Sequence, residues 1–175
     1  GWFHTAGAAT QTIDPLTGKQ ADLSARAFRG RPEDLAALKS VPESELSDVC
    51  VVAYQSWEIS RLRVAALDAQ KGEVVTTGPA VWPFLHFGAV QRYHLENFKG
   101  ALDAPGEWFL DRKGWLFYRP LPGQKMQTAE VIAPVAPEFV RFEGTADKPV
   151  KNLELRGLVF QYGQYLTPKE GAGDP

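Results

Sequence analysis

From Val49 onward the chain is written in short β-type runs cut at close intervals by turn residues, and that rhythm limits the fold more than any other feature. "DVCVVAYQSW" is β-branched and aromatic. In "SRLRVAALDAQKGEVVTTG" Leu62, Val64 and Ala66 point one way while Arg61, Arg63 and Ala65 point the other, and "DAQKG" returns the chain into "EVVTT", a predicted hairpin. "GEWFLDRKGWLFYRP" predicts a second hairpin, with Asp111 to Gly114 as its turn and Gly114 where a positive φ is needed. Many short strands so spaced indicate an all-β sandwich or barrel-like domain. Helix is minor: Pro32 stands where a first helical residue sits, Leu35 and Leu38 share a side, and "VPESELSD" supplies another turn, so short helices are expected near residues 32 to 47.

After Pro137 the style changes. "FVRFEGTADKPVKNLELRGLVFQYG" packs three short strand candidates into about the length of one solenoid coil. A lone coil leaves its amides and its apolar face unpaired, so its partner is expected in a following coil. Residue 1 is Gly, and Met126 is the only methionine. No basic-then-apolar segment opens the chain, so it reads as a piece of a longer protein. The expected organisation is an extended lead-in over 1–27, a β-rich domain over 28–136, and the start of a parallel β-helix over 137–175.

Composition removes several classes. A net charge of −2 gives no electrostatic reason to expect nucleic acid or an anionic membrane. The longest apolar runs fall far short of a membrane span. The single cysteine, Cys50, allows neither an internal disulfide nor a thiolate zinc cluster. His4, His86 and His94 lack metal spacing, and there is no G-x-G-x-x-G, Walker loop or G-x-S-x-G elbow, so no metal or cofactor is expected.

Carboxylates and aromatics carry what chemistry there is. Glu107 and Asp111, in one extended strand, would stand about 13 Å apart, too far for the about 5–10 Å of a glycosidase pair, and Asp111 suits a turn. Arg92, His94 and Glu96 share one face of "RYHLEN", able either to meet a sugar or to seat this domain on a neighbour, with Arg61 and Arg63 as an opposing cationic row. His86 lies among aromatics in "WPFLHFG", lining a groove or packing with one hydrogen bond, and Trp82, between Pro79 and Pro83, is the tryptophan expected to be exposed. Trp108 and Trp115 are expected to face each other across their hairpin as a packed pair.

"YQSWEISRLRV", "RYHLENFKGALDAPGEWFLDRKGWLFYRPLPG" and "FVRFEG…KPVKNLELRGLVFQYGQY" together resemble the right-handed parallel β-helix carbohydrate-active proteins, and within them the insertion domain of proteins like glycoside hydrolase family 141. The likeness covers roughly residues 28 to 166, and its most specific portion is "ALDAPGEWFLDR…G.LFYRP". It implies a bacterial secreted or periplasmic parent acting on complex polysaccharide, with fucosidase and xylanase activities across the group. It also implies an antiparallel insertion domain followed by the first coil of the β-helix. The bond-cleaving acids of such enzymes lie on later coils, so no catalytic residue is assigned here and this part alone is expected not to be catalytic. The expected partners are an oligo- or polysaccharide and the remainder of the parent β-helix. The substrate-binding candidates are Trp82, His86, Arg92, His94 and Glu96. A carbohydrate-binding module, a polysaccharide lyase fragment and an architectural domain of a β-helix adhesin are the alternatives.

Overall fold

The computed structural model describes residues 1–174 and divides into two compact units, Gly1–Gln124 with Thr167 onward, and Lys125–Leu166. Residues 1–27 and those from Thr167 onward group with the first unit, and the second unit begins at Lys125.

The first unit is a closed antiparallel barrel of six strands: β1 (Phe3–Ala8), β2 (Ala27–Gly30), β3 (Cys50–Gln55), β4 (Glu58–Asp68), β5 (Glu73–Thr76) and β6 (Arg92–Glu96). Their order is β3-β6-β1-β2-β5-β4, closed by pairing of β4 with β3. Closure depends on two strands that change neighbours along their length. β4 pairs first with β3, from Gln55↔Glu58 to Cys50↔Arg63. Beyond an irregularity between Val64 and Ala66 it pairs with β5. β1 meets β6 at Phe3 and His4, then passes to β2 from Thr5 onward. Such bulges bend a strand and increase its twist, which lets one continuous sheet curl onto itself and leave no open edge.

The expected alternation in β4 holds as far as Val64, with Leu62 and Val64 inside the barrel. Beyond the irregularity Leu67 takes the inward side and Ala66 packs with Val75 in a separate cluster, so Ala66 does not share their face as expected. Phe28, Val51, Ala53, Val74 and Tyr93 fill the same interior. Residues 32–47 supply its lid as 3-10 rather than α-helix, Ala36–Ser40 and Glu43–Asp48, with Leu35 and Leu38 fully buried. β3 departs from strict alternation, because Cys50 and Val52 on its outer face are buried as well. Each is flanked in register by long side chains, Arg63 and Glu96 beside Cys50, Arg61 and His94 beside Val52, whose stems can cover apolar neighbours while their heads stay wet.

The lead-in is pinned by one buried carboxylate. Asp14 accepts from the Leu16 amide at 3.0 Å and receives a two-pronged contact from Arg26 at 2.8 and 3.2 Å, while Arg26 also donates to the Thr76 carbonyl of β5. The Arg26 guanidinium, with the Leu16 amide behind it, holds the Asp14 carboxyl below the usual carboxylate range. A pKa lower in the folded than in the unfolded state stabilises fully above the unfolded value of about 3.9 and is lost as the pH falls from there through the folded value. Denaturant unfolding of Asp14→Asn should therefore show a smaller loss of stability between pH 7 and pH 3 than the parent chain. An undiminished acid loss would mean that the contact contributes nothing.

A small hairpin, β7 (Trp108–Leu110) and β8 (Leu116–Tyr118), forms a separate two-stranded sheet. Asp111 Oδ1 accepts from the Lys113 and Trp115 amides, and Gly114 holds φ at +84°, so the turn has the chemistry expected of it. β9 (Ala172–Asp174) returns the chain to the barrel and pairs antiparallel with Ile59–Arg61 of β4. Arg63 donates to the carbonyls of Thr167 and Pro168 just before it.

In the second unit, residues 125–166, the three strand candidates form no ladder. Its two ends meet in a parallel bridge between Ala136 and Gly163, with the Gln164 amide donating to the Ala136 carbonyl at 2.9 Å, and Phe139 packs on Phe160 at 5.7 Å. Phe142, Leu153, Leu155, Leu158 and Val159 are all exposed. A segment patterned as strand but lacking neighbours has nothing to receive its backbone hydrogen bonds or cover its apolar face.

Candidate functional site

The five residues singled out in the sequence fall into two groups, both on the barrel unit. Arg92, His94 and Glu96 do line the outer face of β6, as the alternation predicts, with Tyr93 turned into the core. Glu96 accepts from Arg61 at 2.5 Å and lies 2.7 Å from His94 Nε2. Of the cationic row, Arg61 meets this carboxylate across β3, which separates β4 from β6, while Arg63 donates to backbone carbonyls instead. Arg92 lies over two rings, 4.5 Å from the centroid of Trp2 and 4.8 Å from that of Tyr54, and Trp2 packs edge-on against both Tyr54 and His94. This assembly ties the N-terminus to β3 and β6, with Glu96 engaged by Arg61 and His94 and Arg92 lying over aromatic rings.

Trp82 and His86 belong to the loop between β5 and β6. Their rings stack at 5.2 Å and 20°, so His86 is exposed with one face against an aromatic partner. Trp82 is half-buried rather than open, because Phe87 packs edge-on against it at 5.5 Å. Phe87 in turn touches Trp57 at 5.3 Å with the ring planes inclined at 57°. Trp57, 68% exposed, occupies the two-residue tip between β3 and β4. Trp57 and Phe87 were missed in the sequence. The signal was there, since a large aromatic at the tip of a tight hairpin has no interior to fill.

The expected packing of Trp108 against Trp115 does not occur. Register pairs Trp108 with Tyr118 and Leu110 with Leu116, leaving Trp115 outside the ladder, and both tryptophans are about two-thirds exposed, 65% and 68%. The reason is the turn: the Asp111 amide donates to the Trp115 carbonyl, so Trp115 closes the loop instead of opening the strand. Phe109 and Phe117 stack on the opposite face, 6.3 Å apart.

Those two rings border a cavity of about 290 Å³ whose walls also include Asp48, Lys99 and Arg112. Arg112 forks onto Asp48 at 2.5 and 3.0 Å, and Lys99 Nζ sits 4.1 Å from the Phe117 centroid. These contacts fasten the hairpin to the barrel. Glu107 accepts from the amides of Asp103 and Ala104, so it and Asp111 both serve turns. The buried Cys50 thiol is pushed up by desolvation, which disfavours the thiolate a nucleophile needs. Among the described residues no group of three His, Cys, Asp or Glu side chains is placed to hold a metal ion, and no helix is long and apolar enough to cross a membrane.

No protein-family model matches this chain, nor does any curated protein. Among solved structures, one described as a glycoside hydrolase is similar over 85% of this chain, with a TM-score of 0.54 and 19% sequence identity. At that identity the likeness is one of fold. The chain spans 28% of the length of that structure.

Proposed function

We propose that this chain is a non-catalytic section of a right-handed parallel β-helix glycoside hydrolase acting on complex polysaccharide, secreted or periplasmic in a bacterium and similar to family 141 proteins. The barrel is the insertion domain, shaping one wall of the substrate groove or covering the solenoid, and the residues after Pro137 begin the first coil. Acids on later coils cleave the glycosidic bond.

The observation that carries this reading is the parallel bridge between Ala136 and Gly163, where every other pairing among the described residues is antiparallel. Parallel neighbours require a long crossover, usually a helix. Here the crossover contains no helix, and the chain circles back beside itself over about the length of one coil. The exposed apolar side chains of this segment are then the surface on which the next coil stacks. The fold likeness to a glycoside hydrolase supports the chemical class.

Hydrogen exchange tests the reading. Amides of residues 139–160 should exchange fast in this chain and become strongly protected when the following coils of the parent are present. Equal exchange in both would remove the coil, and hydrolysis of polysaccharide by this chain alone would remove the non-catalytic role.

A further inference from the structure

We propose that Trp57 and Phe87 form a stacking site for a single, twisted chain of neutral sugars. The proposal rests on the carbohydrate-active reading above and names the surface and ligand that go with it.

Exposed aromatics occur elsewhere on this barrel unit, but here the two ring-bearing segments are braced by buried polar side chains. Gln55, next to the hairpin tip, donates from Nε2 to the Trp82 carbonyl at 2.6 Å. Its Oε1 accepts from Ser60 Oγ at 3.0 Å, and Ser60 Oγ accepts from the Val81 amide at 3.2 Å. Gln91 Oε1 accepts from the Leu85 amide at 3.0 Å. Gln55, Ser60 and Gln91 are all buried. Buried hydrogen bonds of this kind fix one geometry: those of Gln55 and Ser60 hold the loop onto the hairpin tip, and that of Gln91 Oε1 shapes the loop itself, while Gln91 Nε2 has no hydrogen-bond partner among the described residues.

Each segment also holds a non-glycine residue in the left-handed region immediately before its ring or its ring's neighbour, Ser56 at φ +55° before Trp57 and Leu85 at φ +66° before His86. Such residues cost of order 1–3 kcal/mol each and concentrate at ligand clamps. Bracing plus strain at one exposed aromatic pair is the signature of preorganisation, which lowers the ordering cost of binding.

The geometry selects the ligand. Two aromatic rings, neither of them with a cation over its face among the described residues, suit the apolar faces of neutral pyranoses. The ring separation of 5.3 Å is close to the length of one sugar unit in an extended chain. The 57° inclination prevents both rings from lying flat on a planar crystalline surface. A free chain that twists from unit to unit can present a face to each.

Calorimetric titration of the chain with xylohexaose and with cellohexaose, alongside a pull-down on microcrystalline cellulose, tests this. Saturable binding to at least one hexaose is expected, weakened about tenfold or more in Trp57→Ala and in Phe87→Ala, retained in Trp57→Tyr, and unchanged in Trp108→Ala, a tryptophan of nearly equal exposure. Unchanged Tm in the alanine variants keeps the comparison free of folding effects. The proposal is overturned if neither hexaose binds, if binding survives in either alanine variant, or if the flat cellulose is preferred. Titration reads the barrel surface whether or not residues 139–160 stack. Lack of binding together with exchange protection in the longer chain therefore sinks the stacking site alone.

Discussion

Phe28→Ala is expected to destabilise the barrel by about 3–5 kcal/mol and to lower Tm by roughly 10 °C. Phe28 lies on β2, where it pairs with Val74 of β5 and Ala8 of β1, and its side chain is wholly buried. Its ring meets Phe84 at 4.8 Å and Tyr93 at 4.9 Å. Phe84 arrives from the loop between β5 and β6, and Tyr93 from β6 on the far side of β1. One ring therefore joins the two halves of the closed sheet and the loop that carries Trp82 and Phe87. Truncation leaves a cavity that neighbours drawn from different strands cannot collapse together to fill. Trp108→Ala is the matched control, since a tryptophan 65% exposed should change stability by no more than about 0.5 kcal/mol. Thermal and urea unfolding decide it: a cost for Phe28→Ala under about 1 kcal/mol would mean that the interior of this sheet is not the core.

What could be read from the sequence follows the range of the interactions. β4 and β5, their connecting turn, the Asp111–Gly114 turn and the inward pair Leu35 and Leu38 are set by residues close along the chain, where alternation and turn chemistry act directly. β1 falls in the lead-in that the sequence predicts only as extended, because "FHTAGA" is half small residues and has no strong period of its own. It becomes a strand through β2 and β6, and β6 is contributed from the far end of the barrel sequence. The same long reach hid the contact of Arg92 with Trp2, since alternation places Arg92 on a face but cannot say which strand lies beside it. The row Arg92, His94 and Glu96 was legible as a row, and Arg61 as a cation. That the pairing of Arg61 with Glu96 crosses β3 was not, because strand order is a property of closure rather than of any one strand. For Trp108 and Trp115 the error was one of register: a loop closed by the Asp111 amide on the Trp115 carbonyl removes Trp115 from the ladder. Residues 139–160 show the opposite limit, a local pattern with no neighbour to complete it.

Gly30→Ala is expected to cost about 1–3 kcal/mol in the parent chain, and most of that cost should vanish when Tyr93 is also changed to Phe. Gly30 closes β2, and a Cβ built there would stand 2.5 Å from the Tyr93 hydroxyl oxygen and 3.3 Å from Leu35 Cδ1. The backbone is not the obstacle, since Gly30 lies outside the left-handed region. The hydroxyl is what a methyl would strike, and it is held in a fully buried side chain in the barrel interior. It also has no hydrogen-bond partner among the described residues, and its burial raises the phenol well above its usual pKa. Removing an unpartnered buried hydroxyl gives up no bond, so Tyr93→Phe alone should be neutral or mildly stabilising. In that background the new methyl takes the place of the lost oxygen, and replacing glycine at a compatible φ gains about 0.4–1 kcal/mol from a less disordered unfolded chain. The pair should therefore couple by about 1–3 kcal/mol in a double-mutant cycle. Strict additivity would show that the Tyr93 ring swings aside at little cost, and that the barrel interior is packed more loosely around its largest buried side chain than closure of six strands requires.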